Sequence, residues 1–207
     1  MTNKYTYKLL PDLPSIPEHF VQEALELTVS QPTVQQKNTT LPSYYPEFKQ
    51  RVLSVNGQTT QTAHNKRFIL SEEFQDWIRT NISSEFVEAS VAITNSLRDG
   101  LPVSIHGAHT DWSRNLVLMY LLDTGGNNCQ TVFYQEKDQP VWREDVGCFV
   151  TDYDLLTEID AITLPKGTWC VFDTTVLHGV INLESDRIAV QVGLRGTDQT
   201  ICSSAIN

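Results

Sequence analysis

A histidine and an aspartate two positions apart, His109 and Asp111, are the first residues in this sequence that could hold a metal ion. In an extended chain, residues i and i+2 point to the same side, so the imidazole and the carboxylate can meet at one point. The pair offers two ligands to a divalent cation. Alone it is a weak pattern, because a histidine near an aspartate is also common on protein surfaces that bind no metal.

A third candidate ligand, His178, is followed nine positions later by Arg187. If residues 183–186 form the turn of a hairpin, Asn182 pairs with Arg187 and His178 pairs with Gln191. His178 and Arg187 then share one face, roughly 13 Å apart at the usual strand rise. That gap suits a short dicarboxylate, with one end on a metal held by His178 and the other on the planar guanidinium of Arg187.

These residues lie in a β-rich region that begins near residue 86. Short apolar or alternating runs bounded by Gly, Asn, Asp or Pro predict a sandwich or barrel. The run 116–122 is apolar on both faces, which indicates a central strand covered on both sides. The predicted strands are 86–94, 103–106, 115–122, 131–135, 169–172, 176–181 and 188–194.

The N-terminal region has a different texture, since six of the nine prolines fall within the first 46 residues. Proline lacks an amide donor, so this segment is expected to wrap over the core rather than to form a sheet centre. One helix is predicted after Pro17, and a second begins at Ser71 and buries Phe74, Trp77 and Ile78. We therefore predict an α+β, mainly β fold: a double-stranded β-helix (a jelly roll, cupin-like) buttressed by N-terminal helices. Residues 1–207 would form a single domain, with 1–85 as support and 86–207 as the jelly-roll core.

Composition limits the partners and the compartment. The chain has 15 basic and 25 acidic residues, a formal charge of −10, which argues against binding to nucleic acid or to anionic membrane surfaces. The longest apolar run is too short to span a bilayer, and the first residues lack the apolar core of a secretory signal. The four cysteines form no CxxC pair, so a zinc knuckle is not expected. These features predict a cytoplasmic protein; they do not predict its oligomeric state.

Taken together, the residues resemble the iron(II)- and 2-oxoglutarate-dependent dioxygenase superfamily, and within it the prolyl-hydroxylase-like branch. The resemblance covers residues 103–195, and the combination is far more specific than any one element. It is carried by His109-Thr110-Asp111, Arg114, an apolar strand ending in Tyr120-Leu121, Gly125-Gly126, a strand with Phe133-Tyr134, His178-Gly179-Val180 and Arg187.

The resemblance implies a set of roles. His109, Asp111 and His178 would bind iron(II) as a two-histidine, one-carboxylate facial triad. Arg187 would bind the distal carboxylate of 2-oxoglutarate, assisted by the hydroxyl of Tyr120 or, failing that, of Tyr134. With O2 as co-substrate, the enzyme would hydroxylate an unactivated C–H bond and release succinate and CO2.

The substrate is left open by the sequence: a small molecule or a peptidyl side chain, proline included. Two alternatives remain, a cupin-type metal enzyme that does not use 2-oxoglutarate and a non-catalytic jelly-roll binding protein. Arg187 discriminates between the dioxygenase and the cupin-type enzyme, because an enzyme that does not use 2-oxoglutarate has no need of a cation deep in the pocket.

Two kinds of neighbouring residue are given lesser roles. His106 has the wrong strand parity for a ligand, which favours a structural role or a hydrogen bond to a ligand. Trp112 and Arg114 border the site, where substrate contact and simple buttressing are both compatible with their positions.

Overall fold

The computed structural model describes residues 6–30, 51–55, 58–59, 65–98, 100–111, 114–138, 141–143, 148–152 and 155–195. Strands dominate the described chain. In chain order the elements are β1 (Tyr7–Leu10), α1 (Glu18–Ser30), β2 (Arg51–Val55), β3 (Gln58–Thr59), β4 (Asn65–Ile69), α2 (Glu72–Asn81), β5 (Glu88–Thr94), β6 (Leu97–Arg98), β7 (Leu101–Pro102), β8 (His106–His109), β9 (Leu116–Thr124), β10 (Gln130–Glu136), β11 (Val141–Arg143), β12 (Cys148–Asp152), β13 (Leu156–Ile162), β14 (Trp169–Asp173), β15 (Leu177–Ile181) and β16 (Arg187–Leu194).

Two antiparallel sheets form the body of the protein. The larger one has six strands in the order β1-β14-β9-β16-β5-β4, and the smaller has four in the order β13-β10-β15-β8. A further sheet, β11-β12-β2-β3, and the β6-β7 hairpin complete the described strands. The prediction of a mainly β, jelly-roll fold with supporting helices is confirmed.

The core has two layers, one on each face of the larger sheet. Between the two sheets, residues of β9, β14 and β16 pack against β10; the buried members on these strands are Val117, Leu121, Phe133, Cys170, Phe172 and Ala189. On the other face, the sheet packs against both helices through a larger cluster that includes Phe20, Phe74, Ile78, Leu118, Val190 and Val192. The larger sheet is therefore covered on both sides, as a jelly roll with a helical layer requires.

The position of strand β9 explains why residues 116–122 are all apolar instead of alternating between apolar and polar. It lies between β14 and β16, and its neighbouring residues Val117 and Leu118 are 1% and 0% exposed. Val117 packs between the sheets and Leu118 packs toward the helices. The predicted central strand is confirmed.

Both predicted helices are present. Helix α1 begins at Glu18, directly after Pro17, and buries Phe20 and Ala24. Helix α2 is capped by Ser71, whose hydroxyl accepts a hydrogen bond from the Phe74 amide at 3.2 Å. Neither described helix has the length and apolar character needed to cross a bilayer.

Ser71 is expected to contribute measurably to stability. Ser71→Ala removes the acceptor for the Phe74 amide and the hydroxyl that donates to Glu23 of α1 at 2.9 Å. We expect the free energy of unfolding to fall by about 1 kcal/mol in urea titrations. Ser84→Ala, at an exposed position after α2, is the matched control. An equal effect of the two substitutions would contradict the capping role.

The N-terminal region contributes more than the expected support. Strands β1 and β4 form the two edges of the larger sheet, pairing with β14 and β5. Both lie within residues 1–85, where the sequence predicted only helices and an irregular wrap. The sheet centre is nevertheless built from later strands, as the prolines indicated. Pro32, Pro42 and Pro46 lie outside the described residues.

The predicted hairpin between the strands of His178 and Arg187 is wrong. His178 in β15 pairs with Phe133 of β10 and His109 of β8, whereas β16 pairs with β5 and β9 in the other sheet. The connection 182–186 is anchored elsewhere: Leu183 N–H donates to the Ser104 carbonyl at 2.9 Å. Asn182 has a φ of 56°, which turns the chain out of the smaller sheet. The chain thus crosses from one sheet to the facing one.

Candidate metal centre

The three candidate ligands converge at one end of the smaller sheet. His109 ends β8 and pairs directly with His178 of β15, with ring centroids 4.7 Å apart. Asp111 follows β8, and its backbone N–H donates to the Thr174 carbonyl at 3.0 Å, which fixes the chain beside β15. One ligand atom from each of the three residues lies within 4.8 Å of the others. Two sequence segments about 70 residues apart thus form one potential metal site.

Both histidines present the same nitrogen to this point. His109 Nδ1 lies 2.8 Å from the Gly107 carbonyl, and His178 Nδ1 lies 2.9 Å from the Val176 carbonyl. A carbonyl only accepts, so each neutral imidazole carries its proton on Nδ1 and keeps a lone pair on Nε2. Backbone carbonyls are usual partners for the second nitrogen of metal-binding histidines.

Asp111 is oriented by an arginine three residues later. Arg114 Nε donates to Asp111 Oδ2 at 2.5 Å, and Arg114 Nη2 donates to Gln191 Oε1 of β16 at 3.1 Å. The other carboxylate oxygen, Oδ1, lies 3.7 Å from His109 Nε2. One oxygen is thus occupied by the ion pair, and the other is left beside the imidazoles.

The electrostatics favour the protonation states that a metal requires. Burial, with the neighbouring His109, lowers the pKa of His178 from 6.5 to about 4. Burial alone would raise the pKa of Asp111, but Arg114 and the two histidines outweigh it and hold that pKa well below its usual range. At neutral pH, His178 is therefore neutral and Asp111 is ionised, which are the ligand forms for a divalent cation.

Arg187 faces the same space from the opposite sheet. It begins β16, is 5% exposed and donates from Nη2 to Thr131 Oγ1 at 3.0 Å. Burial lowers the pKa of its guanidinium. Nη1 is buried and has no hydrogen-bond partner among the residues that the structure describes. A buried donor without an acceptor costs about 1–3 kcal/mol, so this atom is suited to receive an acceptor from a ligand.

A pocket of about 540 Å³, including its open mouth, joins the histidines to Arg187. It is lined by residues of both sheets, and along each strand the side chains point alternately into the pocket and into the core. The lining residues are Asn65, Arg67, Ala92, Thr94, His106, His109, Arg114, Val117, Met119, Thr131, His178, Gly179, Val180, Arg187, Ala189 and Gln191.

The two candidate tyrosines are not brought to this pocket. Tyr120 is buried on the helix side of the larger sheet, where its ring lies 5.1 Å from that of Trp169. Tyr134 packs in a separate cluster with Val132 and Leu177. Met119 and Thr131 occupy the pocket beside Arg187 instead. Strand parity places each tyrosine one residue out of phase with the pocket face.

His106 lines the pocket but is not part of the three-residue cluster within the described chain. It pairs with Val180 of β15, and its ring centroid lies 4.8 Å from that of His109. Burial, with His109 and His178 nearby, lowers the pKa of His106 to about 3. A neutral imidazole that packs beside a candidate ligand agrees with the lesser role that strand parity gave it. Trp112 lies outside the described residues.

The sequence analysis missed several pocket residues, notably Arg67 and Thr131, whereas Gln191 lies on the face that it shares with Arg187, as expected. Arg67 lies on an edge strand from the N-terminal region, which carried no motif. Thr131 shares strand parity with Phe133, which packs between the sheets, but the sequence did not show that the same face of β10 reaches the pocket.

Comparisons with known proteins find distant structural likeness but no sequence match. No family model matches this sequence, and no curated protein matches it. The chain superposes with a TM-score of 0.45 on a solved structure described as a prolyl hydroxylase in complex with a hypoxia inducible factor oxygen degradation domain peptide fragment from Trichoplax adhaerens. The two sequences are 12% identical, and the match covers 92% of this chain and 84% of the other. A likeness this distant is no guide to chemistry.

Proposed function

We propose that this protein is an iron(II)- and 2-oxoglutarate-dependent dioxygenase that hydroxylates a small molecule or a peptidyl side chain. One observation carries the proposal. His109 and His178, which cluster with Asp111, line the same pocket as Arg187, a buried cation with one donor that has no partner among the described residues.

The three ligands fit a divalent iron. Two neutral imidazole nitrogens and one carboxylate oxygen are the donor set of non-haem iron(II) oxygenases. Each donor is held in place by a neighbour: the backbone carbonyls fix both imidazoles, and Arg114 fixes the carboxylate. Three ligands on one side of an ion leave the other side open to exogenous groups.

The pocket also fits a dicarboxylate 2-oxo acid. Arg187 would receive the distal carboxylate through Nη1, while Thr131 holds the other side of the guanidinium. The 2-oxo acid end would then reach the ion held by His178, which faces Arg187 from the smaller sheet. Charge-assisted pairing of arginine with a carboxylate in a buried site is strong and directional.

With 2-oxoglutarate and O2 bound, the iron would supply oxidative decarboxylation of the 2-oxo acid to succinate and CO2, coupled to hydroxylation of the substrate. The chain's own residues orient these groups and limit water. Val117, Met119 and Ala189 line the pocket between the two anchoring points with apolar surface. Such a lining strengthens the ion pair at Arg187 by lowering the local dielectric constant.

Anaerobic titration of the iron(II)-loaded protein with 2-oxoglutarate tests the proposal without knowledge of the substrate. A weak visible charge-transfer band that saturates, and that is lost in Arg187→Met, would support it. Bound iron without a band would favour a metal enzyme that does not use 2-oxoglutarate. Failure to bind iron would favour a non-catalytic jelly roll.

Thr131 is expected to tune 2-oxoglutarate affinity. Thr131→Val removes the acceptor for Arg187 Nη2 but keeps the shape of the side chain. The loss of about 1 kcal/mol should weaken 2-oxoglutarate binding about fivefold in the same titration, with iron affinity unchanged. Thr131→Ser keeps the hydroxyl and is the control. Equal affinities in the valine and serine variants would show that this hydrogen bond does not position the arginine.

A further inference from the structure

The pocket contains more positive charge than 2-oxoglutarate uses. Besides Arg187 it is lined by Arg67 and Arg114, and the described residues that line it include no aspartate or glutamate, although the Asp111 carboxylate adjoins it beside Arg114 and His109. The whole chain carries a formal charge of −10, so this pocket is opposite in sign to the protein around it. Cations concentrated in a cleft attract and hold an anion.

Arg114 has a donor to spare. Its Nε and Nη2 bind Asp111 and Gln191, but Nη1 is buried and no partner for it is found in the described part of the chain. The side chain is 4% exposed in its ion pair, so water compensates little of that loss. Gly193 makes room for it, because a Cβ there would lie 2.9 Å from Arg114 Cδ.

Arg67 approaches from the edge of the larger sheet. It pairs in register with Ala92, and Ala92 pairs with Ala189 on the Arg187 strand. These two alanines line the floor of the pocket, and their small side chains leave space beside Arg67, which lies two strand spacings, about 10 Å, from Ala189. Glu88 lies 3.7 Å from Arg67 in a long and partly exposed ion pair, which is of the kind that contributes little.

Arg67 and Arg114 also repel each other. Burial lowers the pKa of the Arg67 guanidinium, and Arg114 is the next largest cause in the same direction. A bound anion between them would relieve this repulsion and would supply an acceptor for Arg114 Nη1. Arg114 is therefore better satisfied with an anionic ligand than without one, and its repulsion with Arg67 is reduced.

A charge count leads to the same conclusion. If the proposed function holds, iron(II), Asp111, Arg187 and the dianion 2-oxoglutarate cancel formally. Arg67 and Arg114 remain, and Glu88 neutralises one of their charges. One positive charge is left for the primary substrate in a site of low dielectric constant, where an uncompensated charge is costly.

We propose that the primary substrate is a small carboxylic acid whose carboxylate binds between Arg67 and Arg114, with the carbon to be hydroxylated directed at the metal. This inference rests on the proposed function and narrows its substrate class. It favours a free acid over a residue within a peptide, since a backbone amide brings no negative charge to this position.

The test compares acids with their amides. Iron(II)-loaded protein with saturating 2-oxoglutarate is titrated anaerobically in a calorimeter with L-amino acids and 2-hydroxy acids of three to six carbons. Each acid is paired with its primary amide, and each amino acid also with its N-acetyl amide as a peptide mimic. We expect at least one acid to bind about tenfold more tightly than its amide.

Arg67→Gln should abolish that preference, whereas Lys66→Gln should keep it. Lys66→Gln is the matched control. Lys66 is exposed on the opposite face of the same strand, and its substitution also removes one positive charge. Arg114 is left unchanged, since its loss would also disturb Asp111. The proposal is overturned if no acid binds below about 1 mM, if amides or N-acetyl amides bind as well as acids, or if Arg67→Gln keeps the preference.

The dioxygenase function and the carboxylic-acid substrate can be disproved separately. The charge-transfer titration with 2-oxoglutarate comes first, and its failure would remove the proposed function before any acid is added. A normal titration followed by equal binding of acids and amides would remove only the substrate class. Preferential binding of N-acetyl amides, unaffected by Arg67→Gln, would point to a peptide substrate instead.

Discussion

Asp111→Ala is expected to weaken iron(II) binding by more than about 100-fold and to abolish turnover of 2-oxoglutarate with it. The substitution removes the carboxylate of the triad, which is the ligand that carries the negative charge, and leaves two neutral imidazoles. Affinity is measured by anaerobic calorimetry with iron(II), and turnover by succinate production. The two losses should appear together, because in the proposed function the metal would hold the 2-oxo acid.

A second variant distinguishes loss of a metal ligand from a folding defect. Asp111→Ala leaves the buried Arg114 guanidinium without its carboxylate, and an uncompensated buried charge destabilises the fold. His178→Gln removes a ligand without removing a charge and should lose iron to a similar degree. His19→Ala, on the exposed face of α1, is the matched histidine control. Wild-type iron affinity in either folded variant would exclude the triad.

Arg187→Met should have the opposite selectivity: 2-oxoglutarate affinity falls by about 100-fold or more, while iron(II) affinity stays within about threefold. In the proposed function the guanidinium supplies the charge for the distal carboxylate and a donor that has no partner among the described residues, whereas the candidate ligands lie across the pocket. The visible titration reports 2-oxoglutarate and the calorimeter reports iron. Arg79→Gln, an exposed arginine of α2, is the control.

Stability gives an independent measurement of the same substitution. Arg187 is buried, and its Nη1 has no partner in the part of the chain that the structure describes, so the position carries a desolvation cost. An apolar side chain of similar length removes that cost, and the midpoint of thermal unfolding should be unchanged or higher. A folded Arg187→Met variant that binds 2-oxoglutarate as well as the wild type would show that the arginine has another purpose.

The candidate site could be anticipated from the sequence because its determinants are local. The i, i+2 spacing of His109 and Asp111 is sufficient to place both side chains on one side of an extended chain. The parity of β16 likewise separates Arg187 from the apolar face that packs on the helices, through residues such as Val190 and Val192. Each inference uses only the geometry of a single strand.

Pairing between strands could not be anticipated in the same way. Consecutive strands are neighbours more often than not, so a hairpin was the reasonable expectation for β15 and β16. The sheet crossing depends on hydrogen bonds from the connection to distant loops, such as that of Leu183 with Ser104. Those contacts join residues about 80 positions apart and leave no mark in the local pattern.

Tyr120 illustrates a second limit. Strand β9 is apolar on both faces, so nothing in its composition indicates which face lines the pocket. The register with β16 decides this, since Tyr120 pairs with Val190 on the helix side. Strand β13 was missed for a related reason: it is largely exposed, and its sequence LTEIDAI has too little apolar alternation to indicate a strand.

Because the chain crosses from one sheet to the other between His178 and Arg187, the distance between the two sheets limits how long a diacid can be to bind at both. Because His178 and Arg187 stand on facing sheets, the span between the metal and the cation follows the packing distance of about 10 Å, not the rise along a strand. A 2-oxo diacid with one more methylene would overrun that span. Phe172, packed against Phe133 between the sheets, helps to set it. If the proposed function holds, residues that do not contact the ligand would thus decide which 2-oxo diacid the protein accepts.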